Sequence, residues 1–145
     1  MIPVQVKDLM NPSVVTIEPT SSAALAARLL SRHNVGVLPV CGEDRKLRGV
    51  VTDRDIVLRC VAAEEDPAQT LVREIMTRGC ATVSPQDDCR AATQLMARQQ
   101  VRRLPVVEGG KLVGIVSLAD LARSQRFDME AAQALGEISE NIVHR

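Results

Sequence analysis

The chain has no tryptophan and no tyrosine, and Phe127 is its only aromatic residue. A flat base therefore has no ring to stack on, which removes the usual grip of single-strand nucleic-acid binders. An excess of either charge is also missing: 18 Lys and Arg stand against 18 Asp and Glu, a formal net charge of +0. No overall field draws such a chain to nucleic acid or to an anionic membrane, so an anion site has to be local and nucleic acid is not an expected partner. Cys41, Cys60, Cys80 and Cys89 show no C-x-x-C spacing, and His33 and His144 complete no familiar ligand cluster. These thiols are expected to be reduced core residues of a cytoplasmic protein, with no metal. No basic segment leads a long apolar run at Met1-Ile2-Pro3-Val4, and nowhere do about 18 apolar residues follow one another. A soluble chain is expected. Nor is there a nucleophile, base and metal constellation, so an enzyme is not expected.

What the sequence does contain is a repeat. Gly49-Val50-Val51-Thr52-Asp53-Arg54-Asp55 returns as Gly114-Ile115-Val116-Ser117-Leu118-Ala119-Asp120. Around it Met10, Thr16, Pro19 and Arg32 recur 66 positions later as Met76, Thr82, Pro85 and Arg98. Val35, Leu38, Pro39 and Val40 recur as Val101, Leu104, Pro105 and Val106, after which one residue is lost in a polar turn. So many matches in one order indicate a duplicated unit.

Within each copy, β-branched runs at Val14-Val15-Thr16-Ile17 and Ala81-Thr82-Val83, closed by Pro19 and Pro85, read as short strands. Thr20-Ser21-Ser22 can cap a helix whose apolar stripe is Leu25, Ala26, Leu29 and Leu30; Ala91, Ala92, Leu95 and Met96 repeat the stripe. Two apolar runs then flank a polar turn, Gly42 to Lys46 or Glu108-Gly109-Gly110, and predict a β-hairpin. Pro39 and Pro105 are expected at an edge or near a strand end, where a missing N–H is tolerated. A helix follows Thr52 or Ser117. Short amphipathic segments, Val6 to Met10 and Val72 to Met76, precede the copies. A single unit would leave a sheet face poorly covered, so two should pack together.

The pattern resembles the CBS domain pair, or Bateman module. The resemblance is carried by Val37-Leu38-Pro39-Val40 and Leu104-Pro105-Val106-Val107 with the two Gly-h-h-Thr/Ser-x-x-Asp segments. It implies an α/β (α+β) fold of two β-α-β-β-α units related by a pseudo-two-fold axis, motif 1 over residues 1–66 and motif 2 over 67–125, with a helical extension at 126–145. It also implies a sensor that binds AMP, ADP, ATP or S-adenosylmethionine in clefts between the motifs and modulates a partner protein, with no catalysis. By the same resemblance Asp55 and Asp120 hold ribose, Thr52 and Ser117 face phosphate, and adenine lies against Val15, Thr16, Ala81, Thr82 and Val37 or Leu38.

The residues support that assignment on their own chemistry. A carboxylate accepts two hydrogen bonds and suits a cis-diol, whereas a hydroxyl at a helix start stands beside unpaired N–H groups that favour an anion. The same Thr-x-x-Asp and Ser-x-x-Asp spacing also forms a helix capping box with Asp in place of Glu or Gln. Both readings stand at this point. Arg102 and Arg103 precede Leu104 where the first copy has Gly36 and Val37, and Asp53 and Arg54 face Leu118 and Ala119 in the alignment. The arginine pair makes a phosphate clamp in one copy, and Asp53 repels phosphate in the other, so two unequal sites are expected.

After Phe127, the residues Ala131, Leu135, Ile138 and Ile142 continue a helical apolar stripe that either folds back on its own unit or meets a second chain. A homodimer is expected. The alternative function is a ligand-independent assembly module in which the repeat serves only to build that dimer.

Overall fold

The computed structural model describes residues 3–123 and 134–138. In chain order its elements are α1 (Val6–Leu9), α2 (Ala23–His33), β1 (Val37–Cys41), β2 (Leu47–Thr52), α3 (Asp53–Ile56), α4 (Val72–Ile75), α5 (Cys89–Gln99), β3 (Arg103–Glu108), β4 (Lys111–Ser117) and α6 (Leu118–Ala122). A π-helical turn, Val57–Val61, continues α3.

The two longer helices begin where a short polar side chain meets an open amide. Ser22 Oγ accepts from the N–H of Leu25 at 3.1 Å to open α2. Asp88 Oδ1 accepts from the N–H of Arg90 at 2.8 Å to open α5. Ala26 and Leu30 of the expected stripe on α2 are buried, as are Ala92 and Met96 of the one on α5. The adjoining Leu25, Leu29 and Leu95 are only partly covered, and Ala91 is exposed.

Both hairpins form as the sequence predicts. β1 pairs antiparallel with β2 from Val37↔Thr52 to Cys41↔Leu47, and β3 with β4 from Arg103↔Ser117 to Glu108↔Lys111. The second turn is made by Gly109 and Gly110, both with positive φ (59° and 80°), which matches the twist of a tight hairpin. The first is a residue longer and places Arg45 at φ 65°, with Asp44 Oδ1 accepting from the N–H of Lys46 at 2.9 Å.

The expected first strand of each copy is reduced to one parallel bridge, Ile17↔Val40 or Val83↔Val106. The cause is the proline. Pro39 O accepts from Ile17 N at 3.1 Å, so the backbone polar edge of Pro39 faces the Ile17 segment and not β2. With no N–H, Pro39 cannot donate to the carbonyl of Val15, and the parallel ladder stops after one step. Pro105 does the same beside Val83, whose N–H donates to Pro105 O at 3.1 Å. Both prolines therefore lie inside strands, buried, and not at a strand end. The hairpin ladders lose nothing by them.

The leading segments exchange repeats. Val6 N donates to Asp87 O, and Cys89 N to Val4 O, at 2.9 and 3.0 Å. The equivalent bonds, Val72 N to Ser21 O and Ala23 N to Thr70 O, are both 2.8 Å. Thus α1 docks on the second copy and α4 on the first. The chain accordingly divides into two compact units: the N-unit, Val15–Cys80, and the C-unit, Met1–Val14 with Ala81–Arg145. Ile17, Leu30, Leu38, Val40, Val51, Ile56, Val72 and Ile75 build the core of the N-unit. Val6, Val83, Met96, Leu104, Val106, Val116 and Leu121 build that of the C-unit. The fold class is as expected, mixed helix and sheet with two small antiparallel sheets. Residues 134–138 are helical, and Ala134 and Ile138 are buried in the C-unit core, so this part of the tail folds back on its own unit. Phe127, Ala131 and Ile142 lie outside the described residues.

Candidate functional site

Each hairpin delivers its second strand straight into a helix, and the hydroxyl residue of the repeated motif stands at that junction. Thr52 Oγ1 accepts from the N–H of Asp55 at 3.0 Å, and Asp55 Oδ2 accepts from the N–H of Thr52 at 3.0 Å. Ser117 and Asp120 repeat both bonds, each 3.0 Å. The capping box is thus formed in both copies, and it occupies one carboxylate oxygen of each aspartate. The fate of the rest of the carboxylate differs.

In the N-unit, the hydroxyl of Thr77 lies 3.0 Å from Asp55 Oδ1 and 3.2 Å from Oδ2, and Arg59 Nη1 lies 3.6 Å from Oδ1. The Asp55 side chain is 8% exposed. Arg59 also donates to the carbonyls of Ile75 and Met76 at 3.0 and 2.9 Å, which satisfies acceptors at the end of α4. In the C-unit, Asn11 stands where Thr77 does, bridging to Ile115 as Thr77 bridges to Val50. Its side chain is turned elsewhere, Asn11 Oδ1 accepting from the N–H of Ser13 at 2.9 Å. Among the described residues Asp120 Oδ1 consequently meets only Arg123, at 3.4 Å, whose own side chain is 78% exposed. An exposed pair of this kind is weak and readily opened.

The surroundings diverge in the same sense. Arg103 lies opposite Ser117 in the β3–β4 register, and Arg102 O accepts from the N–H of Leu118 at 2.8 Å. Both arginines are exposed, and neither meets a carboxylate among the described residues. In the N-unit, Val37 lies opposite Thr52, and Gly36 O accepts from the N–H of Asp53 at 3.1 Å. A side chain added at Gly36 would have its Cβ 3.5 Å from Asp53 Oδ2. The Asp53 carboxylate therefore occupies the space beside residue 36, where the C-unit presents Arg102 and Leu118.

The structure thus gathers Arg102, Arg103, Ser117 and Asp120 at one end of the β3–β4 hairpin. Ala81 and Thr82 run toward that end along the other edge of β3, because Val83 bridges in parallel to Val106. Val15, Thr16, Val37, Thr52 and Asp55 have the corresponding places in the N-unit. Thr16 and Thr82 are exposed and Val15, Ala81 and Val37 half-buried, but the Leu38 side chain is 1% exposed and belongs to the core. Thr77 and Arg59 were not legible as partners of Asp55. The available signal was slight: Asn11 follows Met10 where Thr77 follows Met76, one of several differences between the aligned segments. Among the described residues no group of His, Cys, Asp and Glu is placed to hold a metal ion, and no helix is long and apolar enough to cross a membrane.

The model of the CBS domain matches this sequence twice, over residues 6–61 and 72–126. The chain belongs to the CBS domain family. Its relatives include the CBS domain-containing protein YhcV of Bacillus subtilis, 44% identical over 139 residues that cover 96% of this chain and 98% of YhcV. The crystal structure of Hypoxic Response Protein I with two coordinated zinc ions superposes with a TM-score of 0.77 at 36% identity, covering 83% of this chain and 98% of that one. CBSX2 in complex with AMP gives 0.73 at 30%, covering 82% and 93%. The CBS domain pair of protein MJ0100, in complex with 5′-methylthioadenosine and S-adenosyl-L-methionine, gives 0.72 at 29%, covering 84% and 95%. Each CBS match begins at a leading helix, α1 or α4, and that helix packs on the other CBS copy.

Proposed function

We propose that this chain is a cytoplasmic regulatory CBS pair that binds an adenosine compound and alters its affinity for a partner protein in response. The observation that carries the reading is the arrangement at the end of β3–β4: two exposed arginines with no carboxylate partner among the described residues, beside Ser117 and an Asp120 carboxylate with one oxygen lightly engaged. Arg102, Arg103 and Ser117 suit the phosphate of AMP, ADP or ATP, and Asp120 suits the ribose diol. Adenine fits beside Ala81 and Thr82, where Pro105 offers the Ala81 carbonyl no N–H. Val15, Thr16, Val37, Leu38, Thr52 and Asp55 hold the corresponding places in the N-unit, where Asp55 is already engaged by Thr77 and the Leu38 side chain lies in the core. AMP in CBSX2 and S-adenosylmethionine in the MJ0100 pair support this ligand class. For the ligand to regulate, its affinity must differ between two shapes of the protein. Calorimetric titration with AMP, ATP and S-adenosylmethionine tests the reading, and silence from all three overturns it.

One observation favours assembly as a second reading. The π-helical turn after α3 presents Val57, Leu58 and Val61 to solvent at 55%, 50% and 59% exposure. A homodimer burying these side chains is the form we expect to regulate. If assembly were the whole function, sedimentation would show a dimer indifferent to every nucleotide.

A further inference from the structure

Two copies of one motif invite the expectation of two nucleotide sites, but the carboxylates of those copies are not in the same state. Asp55 is buried, and its two oxygens are shared among Thr52 N, the Thr77 hydroxyl and the Arg59 guanidinium. A ribose diol would have to displace Thr77 from it, and each displaced bond must be replaced in kind for binding to gain anything. Among the described residues Asp120 has no such competitor, because Asn11, at the position of Thr77, is held by its own turn to Ser13. Charge separates the copies further. A phosphate at the N-unit junction would meet Asp53 with no arginine at residues 36 or 37 to offset it, whereas one at the C-unit junction meets Arg102 and Arg103.

We infer that a phosphorylated adenosine compound occupies the C-unit junction alone, and that Thr77, seconded by Arg59, is the positioning residue that withholds Asp55 from the ligand. The inference rests on the proposed function and assigns its stoichiometry and the residue that sets it. Thr77 acts through Asp55 and itself touches no ligand.

The test is calorimetric titration of the full chain with AMP and, separately, with adenosine, which carries no phosphate to meet Asp53. The expected result is one AMP per chain, lost in Asp120→Asn and retained in Asp55→Asn and in Thr77→Ser. Thr77→Val, which removes the hydroxyl and keeps the shape, is expected to add a second adenosine per chain, a gain that mere loss of structure cannot produce. Two AMP per chain, or binding lost in Asp55→Asn as in Asp120→Asn, overturns the inference and leaves the proposed function standing. Silence of the unsubstituted chain toward AMP, ATP and S-adenosylmethionine overturns the function, and the inference with it. Where Asp55→Asn does not fold, Thr77→Val decides: a folded variant that binds no second adenosine overturns the inference.

Discussion

The hydroxyl of Thr77 is within hydrogen-bonding distance of both carboxylate oxygens of Asp55, at 3.0 and 3.2 Å, across 22 positions of sequence. It ties the β2–α3 junction to the strand-like segment that bridges to Val50. Because the Asp55 side chain is buried, truncating it leaves the Thr52 N–H and the Thr77 hydroxyl without their shared acceptor. Asp55→Ala is expected to cost about 2–3 kcal/mol of stability. Asp120→Ala, which gives up a cap and an exposed ion pair, should cost about 1 kcal/mol. Urea unfolding at constant slope measures both. Equal costs would deny the Thr77 contact any energetic weight.

Gly49 is required by close approach and not by backbone conformation. A Cβ there would lie 2.3 Å from the backbone oxygen of Thr77, which pairs with Val50 and cannot retreat without breaking that bridge. At Gly114 the nearest atom is Met10 Sδ at 2.8 Å, the end of a flexible side chain, with Asn11 O at 3.1 Å. Gly49→Ala should therefore destabilise by about 2 kcal/mol or more, by analogy with overpacked cores, and Gly114→Ala by less. Thermal unfolding of the two variants checks the order, and the reverse order would contradict the packing described.

The arginine pair is expected to read phosphate. Arg102→Ala and Arg103→Ala should each weaken AMP binding by about 1.5–3 kcal/mol, the range for hydrogen bonds to charged groups, and leave adenosine nearly unchanged. Added salt should weaken AMP more than adenosine, since these side chains are exposed and screened. Parallel titrations at two ionic strengths decide it. An equal loss for both ligands would place the arginines elsewhere.

Cys89 carries a pH dependence. Burial, with smaller contributions from Asp88 and Asp8, pushes its thiol up from 9.0 to about 11. The unfolded thiol loses its proton first, so between those values the unfolded state binds fewer protons than the folded one, and stability falls as pH rises. Below the window the contribution is fully present, and above it the loss is complete. Urea midpoints across that range should decline more steeply in the natural chain than in Cys89→Ala. Parallel declines would remove Cys89 as the cause.

The thiols should also differ in reactivity. Cys41, Cys60 and Cys89 are buried and Cys80 is partly exposed. Brief alkylation of the native protein followed by peptide mass spectrometry is expected to label Cys80 first, since access limits the other three. Early labelling of Cys89 would show that the C-unit core opens readily.

Local chemistry was enough to read the repeated motifs, the stripes of the two longer helices, the cap of α2, both hairpins and the Thr/Ser-x-x-Asp junctions, because each depends on residues within a few positions of one another; the Asp88 cap of α5 was not read. The contrast of Arg102 and Arg103 with Gly36 and Val37 was legible for the same reason: it needs only an alignment of the chain with itself. Pairing across the chain was not legible. The segments leading the copies carry one pattern, Val6, Leu9 and Met10 or Val72, Ile75 and Met76, so either fits either body, and only the folded chain settles that they are exchanged. That exchange brings Thr77 to Asp55 and Asn11 toward Asp120. The first strands were misjudged because their extent depends on N–H groups missing from Pro39 and Pro105 in another part of the chain. The sequence by itself determined that two Thr/Ser-x-x-Asp junctions stand where a strand runs into a helix; the tertiary structure decided that one of the two carboxylates is taken, since a hydrogen bond between residues 22 apart exists only once the backbone has brought them together.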